Sequence, residues 1–319
     1  MWSKTSIREI CKDALPCPIW ANLPNRGDMF KSRFWLGLAV LMALCVVFNQ
    51  VACSRNGSAL RAPQVLPADA APIAKTGAGD TRLIPEKLLQ VGGVAIVRIR
   101  GESPFFFKTR MRIDADGAPN AYHPEDKGLD FLKHAGNPGD WQGLVTDSLG
   151  QPVIQGPHDP YPGYYISQTS LFDKTKQRTD PARYVDARAI PYIVLPAEPG
   201  LKESGRARLG DFAVVVNARN RLMAFAIFAD QGPRGKIGEG SIALAELLQI
   251  PSSPKTGGVD GDIIYVVFPG SGNGQSRTTQ EIHREGERAF NQWGGPGRLA
   301  ACFPEYQWDK HTLTSVPPR

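Results

Sequence analysis

Histidine and cysteine are scarce in this chain, with five of each among 319 residues. The histidines are scattered, and neither a His-Glu-x-x-His pattern nor a cysteine cluster accompanies them, which argues against a zinc site. A Gly-x-Ser-x-Gly elbow and a glycine-rich phosphate loop before a helix are also missing, which argues against a serine hydrolase and a nucleotide-binding enzyme. Carboxylates remain as the candidate chemical groups.

A disulfide framework is not expected either. Cys11, Cys17 and Cys45 lie in the N-terminal region, which leaves Cys53 and a distant Cys302. Two cysteines this far apart do not form the closely spaced set of a small disulfide scaffold. We expect Cys302 to pack as a small apolar residue, because free cysteine is commonly buried.

Long runs of one charge are absent as well. Lys and Arg total 37 and Asp and Glu total 31, and no basic run is interleaved with aromatic residues. The sequence therefore gives no support for nucleic-acid binding. Between residues 101 and 187 the acids outnumber the bases, which would suit a cationic substrate.

The strongest hydrophobic feature is the uncharged run Phe34–Phe48, preceded by Lys31 and Arg33. This order and length predict a signal peptide rather than a membrane span, and hence a secreted, periplasmic or cell-envelope protein. Met29 would give a compact signal sequence and is a candidate start. A retained anchor, or lipid attachment at Cys53, stays open as the only route to a membrane.

Composition divides the chain into three regions. Residues 1–53 form the N-terminal extension and signal peptide or anchor, and residues 54–87 are a linker rich in Ala, Pro and Gly. Residues 88–319 are expected to be the folded domain, since the hydrophobic content of 42% is ample for a core.

Short apolar runs bounded by Gly, Pro, Asn or Asp dominate that domain and predict seven strands. Asn217–Arg221 looks like a tight connection between two antiparallel strands. The expected strands are Val94–Ile99, Phe105–Ile113, Tyr164–Ser167, Tyr192–Leu195, Phe212–Val216, Leu222–Phe228 and Ile263–Phe268.

Helices are few. Ser241–Gln249 starts on an N-cap residue and is stopped by Pro251, and Thr278-x-x-Glu281 predicts a capping box for a helix through Gln292. A mainly β barrel or sandwich with two or three short peripheral helices fits this pattern.

Two carboxylates stand on either side of a loop rich in Gly and Pro. Asp230 follows an apolar run, and Glu239 lies nine positions later, just before the helix that begins near Ser241. Hydrolysis of a glycosidic bond needs one carboxylic acid and one carboxylate base or nucleophile. By spacing alone the same residues could instead be a turn carboxylate and a helix N-terminal charge.

Several ordered blocks lie between about residues 90 and 272, among them Ala229-Asp-Gln-Gly-Pro233 and Ile237-Gly-Glu-Gly-Ser-Ile-Ala-Leu-Ala245. Together these blocks resemble glycoside hydrolase family 75, the chitosanases of fungi and bacteria. Upstream blocks, among them Ala121-Tyr-His-Pro124 and Trp141-Gln-Gly-Leu-Val145, look like its bacterial branch. The main blocks are Arg183–Pro196, Leu209-Gly-Asp-Phe-Ala-Val-Val215, Ala229-Asp-Gln-Gly-Pro233, Ile237-Gly-Glu-Gly-Ser-Ile-Ala-Leu-Ala245 and Tyr265-Val-Val-Phe-Pro-Gly270.

The resemblance implies endo-hydrolysis of the β-1,4 bonds of chitosan with inversion, without metal or cofactor, on a polysaccharide partner. The family's catalytic pair would fall on Asp230 and Glu239, although the loop between them looks shorter than in the fungal members. A six-stranded double-psi-like β-barrel is the implied architecture.

Roles follow from the expected surroundings. Glu239, near a helix start, suits a general base, and a partly desolvated Asp230 suits the acid. Asp211 is the third candidate, as a substrate-binding residue or a structural hydrogen-bond acceptor. The sequence Asp114-Ala-Asp-Gly117 reads as a turn rather than a calcium loop. A non-catalytic envelope protein that binds glycan, or a peptidoglycan-directed hydrolase, is the alternative function.

Overall fold

The computed structural model describes residues 83–308 and 312–317. The expected signal peptide, the candidate start at Met29 and most of the expected linker lie outside the described residues. No helix within the described ranges has the length and apolar character that crossing a membrane requires.

Eleven strands and four α-helices account for the regular structure of the described residues. The strands are β1 Pro85–Val91, β2 Val94–Ile99, β3 Phe105–Asp114, β4 Gly136–Asn137, β5 Asp140–Trp141, β6 Tyr192–Pro196, β7 Phe212–Asn217, β8 Leu222–Gly232, β9 Glu239–Ser241, β10 Val259–Phe268 and β11 Thr314–Ser315. The helices are α1 Pro199–Glu203, α2 Ile242–Leu247, α3 Thr279–Trp293 and α4 Gly295–Cys302.

Six of these strands close into a barrel, in the order β3-β10-β7-β8-β6-β9 and back to β3. The β6–β8 and β3–β9 pairs are parallel, and the other four pairs are antiparallel. The expected mainly β fold with a six-stranded barrel is thereby confirmed. Closure leaves no barrel strand with an unpaired edge, which removes the usual route to edge-to-edge association.

A hairpin of β1 and β2 extends the sheet beyond β3. Its two-residue loop is Gly92-Gly93, and both residues have positive φ, 53° and 84°. Two positive φ values are what the favoured two-residue hairpin turn requires, and glycine adopts them without strain. β1 begins at Pro85, three residues before the expected domain start at Leu88.

The core lies both inside the barrel and beneath the helices. Every residue of β6 and β7 is buried, because the barrel interior covers one face of these strands and other elements cover the second. α3 packs on β7 and β8, where a Cβ on Gly286 would stand 2.8 Å from the Cβ of Phe225. A glycine at this helix position therefore permits the close approach of helix and sheet.

The capping residues in the sequence correctly predicted where α2 and α3 begin. Ser241 accepts a hydrogen bond from the backbone N–H of Leu244 at the start of α2, and Thr278 and Glu281 form the expected capping box of α3. Gly294 ends α3 with a φ of 117°.

α1 and α4 raise the helix count to four, above the expected two or three. α4 begins at Gly295-Pro296, a sequence typical of a loop, but proline is tolerated in the first helical turn, where its missing N–H has no intrahelical partner. At its end Cys302 is a free, half-buried thiol whose pKa burial raises to about 11.

The expected strands differ from the structure in one case. Tyr164–Ser167 makes only isolated bridges, Leu144 to Ser167 and Ile154 to Tyr165. It lies in the long connection between β3 and β6, which is held mainly by turns and side-chain hydrogen bonds. The expected connection Asn217–Arg221 does join antiparallel strands, with positive φ at Arg221.

Candidate active site

A cleft of about 960 Å³ opens at the carboxyl ends of β3 and β8. Its walls come from these strand ends, from β6 and β9, from the long connection between β3 and β6, and from the loop that follows α2. Asp230 and Glu239 both line it. The structure therefore brings the two sequence-predicted carboxylates together.

A β-bulge places Asp230. On β6, Ile193 pairs with Phe228 and the next residue, Val194, pairs with Asp230, so Ala229 is an extra residue in β8. A bulge of this kind twists the strand locally and redirects the side chains that follow it. Asp230 thus stands directly opposite Val194.

Glu239 is held in the same row from the other side. It opens β9, where it pairs with Val194 of β6 and with Arg112 of β3. Val194 is therefore the register partner of both acids, which lie on the strands to its left and right. Since neighbouring strands are ~4.8 Å apart, the Cα atoms of Asp230 and Glu239 are separated by two strand spacings, about 9–10 Å.

The approach to Glu239 depends on a glycine. Gly238 has a φ of 94°, and a Cβ there would stand 2.6 Å from the carbonyl oxygen of Arg110. Its own carbonyl accepts the N–H of Arg112 at 2.8 Å, which joins the loop to β3 just before β9 begins. A side chain at this position would push Glu239 away from β3.

Asp230 is 8% exposed, and burial raises the pKa of its carboxyl to about 6. Ser170 opposes that shift, because its backbone N–H and its hydroxyl each donate to Oδ1 at 2.7 Å. The negative charge of Glu239 adds to the rise in pKa. Asp230 is therefore able to hold a proton at mildly acidic pH.

Burial also raises the pKa of Glu239, while the charges of Lys236, Arg110 and His134 lower it. Glu239 lies just before the start of α2, as the sequence predicted, and Ser241 caps that helix. Among the nearby groups, these three cations favour the ionised form of Glu239.

Two further acids, which the sequence assigned only to a turn, lie next to Asp230. Asp114 ends β3 and accepts the N–H of Asp116 at 3.0 Å, so the expected turn is present. One carboxylate oxygen from each of Asp114, Asp116 and Asp230 lies within 4.8 Å of the others. Both added acids stand in the block Met111-Arg-Ile-Asp-Ala-Asp-Gly117, which resembles the bacterial branch of the family, but nothing in that block predicted their contact with Asp230.

Two buried tyrosines hold the added acids in place. The hydroxyl of Tyr192 donates to Asp114 at 3.1 Å, and that of Tyr122 donates to Asp116 at 2.7 Å. Burial and mutual repulsion raise the pKa of both carboxyls well above the usual range. Oxygen ligands of this kind suit a hard cation such as Ca²⁺ or Mg²⁺, and each of the three aspartates here is already engaged by a protein donor.

A histidine and another acid complete the lining. Nδ1 of His134 lies 2.9 Å from Oδ1 of Asp130, which is 4% exposed. The 3₁₀ turn Leu132–His134 sets this i,i+4 pair. The histidines are scattered along the sequence, and no pattern predicted that His134 would lie at the cleft.

Asp211 is not among the residues that line the cleft. Its carboxylate accepts the backbone N–H groups of Arg208, Gly270 and Gly272 at 2.8, 3.0 and 3.1 Å, and the residue is 1% exposed. The structure thus places this third candidate in a hydrogen-bonding role between two turns, which is the structural alternative open from the sequence.

Comparison with known families identifies the region that contains both acids. Residues 159–293 match the family described as fungal chitosanase of glycosyl hydrolase group 75. A comparison with curated proteins finds no significant match. The matched residues include β6 to β10 of the barrel, whereas β3, with Asp114, lies before them.

Proposed function

Taking residues 159–293 as a glycoside hydrolase family 75 region, we propose that this chain is a secreted endo-acting enzyme that cleaves the β-1,4 bonds of chitosan with inversion. The family match indicates a chitosanase-type glycoside hydrolase. The observation that carries the mechanism is the placement of Asp230 and Glu239 on either side of Val194 in one cleft.

Asp230 is the proposed general acid. Burial favours its protonated form, and its raised pKa of about 6 lets it carry a proton where an ordinary aspartate is ionised. It transfers that proton to the glycosidic oxygen as the bond from that oxygen to the anomeric carbon breaks. The negative charge of Glu239 also raises the pKa of Asp230.

Glu239 is the proposed general base. It is less buried than Asp230, and Lys236, Arg110 and His134 favour its ionised form. It accepts a proton from a water molecule while the water oxygen bonds to the anomeric carbon on the face opposite the leaving group. The proton lost by Asp230 and the proton gained by Glu239 are then exchanged with solvent.

The separation of the two acids supports inversion. Inverting glycosidases hold their carboxyl groups roughly 6.5–9.5 Å apart to leave room for a water molecule, and retaining enzymes hold them about 5 Å apart. Two strand spacings between the backbones of Asp230 and Glu239 are compatible with the wider arrangement. The side chain of Val194 occupies the row between them.

Release of reducing ends from chitosan by the purified protein tests the proposal. We expect Asp230→Asn and Glu239→Gln each to lower kcat about 10²- to 10⁴-fold, the usual contribution of a general acid or base. Glu287→Gln, on the exposed side of α3, is the matched control and is expected to retain activity. The first product formed should carry the α-anomer by NMR, and a β-anomer would contradict inversion.

Added azide distinguishes the two roles. Azide replaces the attacking water, so it should restore turnover to Glu239→Ala and not to Asp230→Ala. Rescue of the Asp230 variant alone would exchange the assignments. Binding of chitosan or peptidoglycan without turnover, with the wild type no faster than the two variants, would favour a non-catalytic envelope glycan-binding protein.

A further inference from the structure

The acidic and basic residues of the cleft lie at different depths. The acids are buried or half-buried, and most of the cations are exposed at the edge. We call the first group the acidic floor, Asp114, Asp116, Asp130, Asp230 and Glu239. The second group is the cationic rim, Arg112, Lys133, Arg178, Arg183, Lys236 and Lys255.

Most of the cationic rim forms no ion pair with an acid. Among the described residues, Lys133, Arg178 and Lys236 form no ion pair, whereas Arg112 pairs with Asp260 at 2.8 Å. Arg183 donates to backbone carbonyl oxygens and lies over the ring of Phe172. Lys133 and Arg178 are therefore available to a ligand, whereas Lys236 already favours the ionised form of Glu239.

Lys133 and Lys255 are brought together by one ring. Each Nζ lies 5.0 Å from the centroid of Phe131, so two ammonium groups share the same aromatic side chain at the cleft edge. Both ammonium groups add positive potential at this part of the cleft edge. An anionic ligand would be attracted there.

The acidic floor does not offset the cationic rim in full. Burial raises the pKa of all five floor acids, that of Asp114 and Asp116 well above the usual range. Part of the acidic floor is therefore protonated at mildly acidic pH, where chitosan is a soluble polycation. A polymer carrying amines alone would meet the positive edge before it reached the acids.

We propose that the preferred substrate of this cleft is a β-1,4-linked amino-sugar polymer that bears carboxylates beside its amines, with the carboxylates bound by Lys133 and Arg178. The proposal rests on the proposed function and concerns which glycan the same site prefers. Amines that reach the acidic floor are attracted by Asp130 and Glu239, and the carboxylates satisfy the cationic rim. A partly de-N-acetylated glycan of the peptidoglycan type has this combination of groups.

Two polymers that differ in one substituent provide the test. Chitosan and O-carboxymethyl chitosan, matched in chain length and acetylation, are offered to the purified full chain at pH 6. We expect KM per sugar to be about tenfold lower for the carboxymethylated polymer, since each cation–carboxylate contact at a solvent-exposed site contributes roughly a factor of three. Raising the salt from 50 to 500 mM should reduce the difference, because exposed charges are screened.

The double variant Arg178→Gln/Lys133→Gln should change the KM values of the two substrates in opposite directions. Removing two cations raises KM for carboxymethyl chitosan and lowers KM for chitosan, because attraction is lost in one case and repulsion in the other. Neither residue contributes to the pKa shift of Asp230 or Glu239, so the pH profile should be unchanged. Lys202→Gln, on exposed α1, removes a charge outside the cleft and should change neither KM.

The outcomes separate this proposal from the one on which it rests. Cleavage of chitosan with equal or lower KM than that of the carboxymethylated polymer would overturn the preference and leave the hydrolase intact. A fall or a rise of both KM values together in the double variant would also overturn it. Turnover of neither polymer would instead refute the proposed activity.

Discussion

The hydroxyl of Ser170 controls the protonation of Asp230, and removing it gives the sharpest check on the acid role. Ser170 contributes two hydrogen bonds to Oδ1 of Asp230, one from its backbone and one from its side chain. The same hydroxyl accepts the N–H of Gln231 at 3.0 Å. Ser170→Ala deletes the side-chain donor and keeps the backbone donor, so Asp230 stays in place with less support for its charge.

The expected shift follows from the strength of that contact. A hydrogen bond to a charged group contributes about 1.5–3 kcal/mol, and one pKa unit corresponds to ~1.4 kcal/mol. Because Ser170 is only half-buried, water replaces part of the lost contact. We therefore expect the pKa of Asp230 to rise by about one unit, from about 6 in the wild type.

The assay is the pH dependence of kcat/KM on chitosan between pH 4 and 9. If Asp230 must be protonated, the decline in activity on the alkaline side moves to higher pH by about one unit in Ser170→Ala. Ser170→Thr keeps a hydroxyl and should behave like the wild type. A shift of the acidic side instead would make Asp230 the base, and an unchanged profile would refute its role as a titrating group of the reaction.

Three further outcomes are expected. Asp230→Asn should stabilise the fold at pH 8 by ~3 kcal/mol and leave it unchanged at pH 3. The carboxyl, whose pKa is raised from 3.8 to about 6, binds its proton more tightly in the folded state, so the wild-type fold loses stability as the pH rises through that window. Thermal unfolding at both pH values measures the difference. Asp211→Ala should lower the free energy of unfolding by about 2–4 kcal/mol, because three backbone N–H groups lose their acceptor. Asp211→Asn keeps one oxygen and should cost less stability. A raised KM without loss of stability would instead favour a role of Asp211 in substrate binding. Gly117→Ala should cost more stability and activity than Gly93→Ala. Both glycines have positive φ, but only a Cβ on Gly117 would stand 2.1 Å from the carbonyl oxygen of Val185, beside the turn that carries Asp114 and Asp116.

Local signals in the sequence predicted most of the strands and a mainly β barrel or sandwich, and the family resemblance implied the six-stranded barrel. β7 and β10 are continuous apolar runs with turn residues at both ends, and capping residues mark the starts of α2 and α3. β9 was not predicted, since three residues, Glu239–Ser241, show no period. Its pairing with β3 and β6 is what closes the barrel, and such long-range pairing has no local signature.

The candidate site divides in the same way. Asp230 and Glu239 stand in recognisable blocks, so their joint position was predicted. Asp114 and Asp116 reach Asp230 only through the fold, and a turn carboxylate and a cleft carboxylate look alike in sequence. Asp211 shows the converse, because its sequence block says nothing of the three amides that hold it away from the cleft.

The position of Val194 has a consequence for how the loop after β8 can change over time. Asp230 and Glu239 each pair with this one residue, so the spacing of their backbones is set by the strands and not by the length of the loop Pro233–Ile237. Insertions or deletions in that connection can alter the entrance to the cleft without altering the distance between the acids. A short loop is therefore compatible with the same chemistry, and the loop is free to diversify in length and to adapt the enzyme to different polymers.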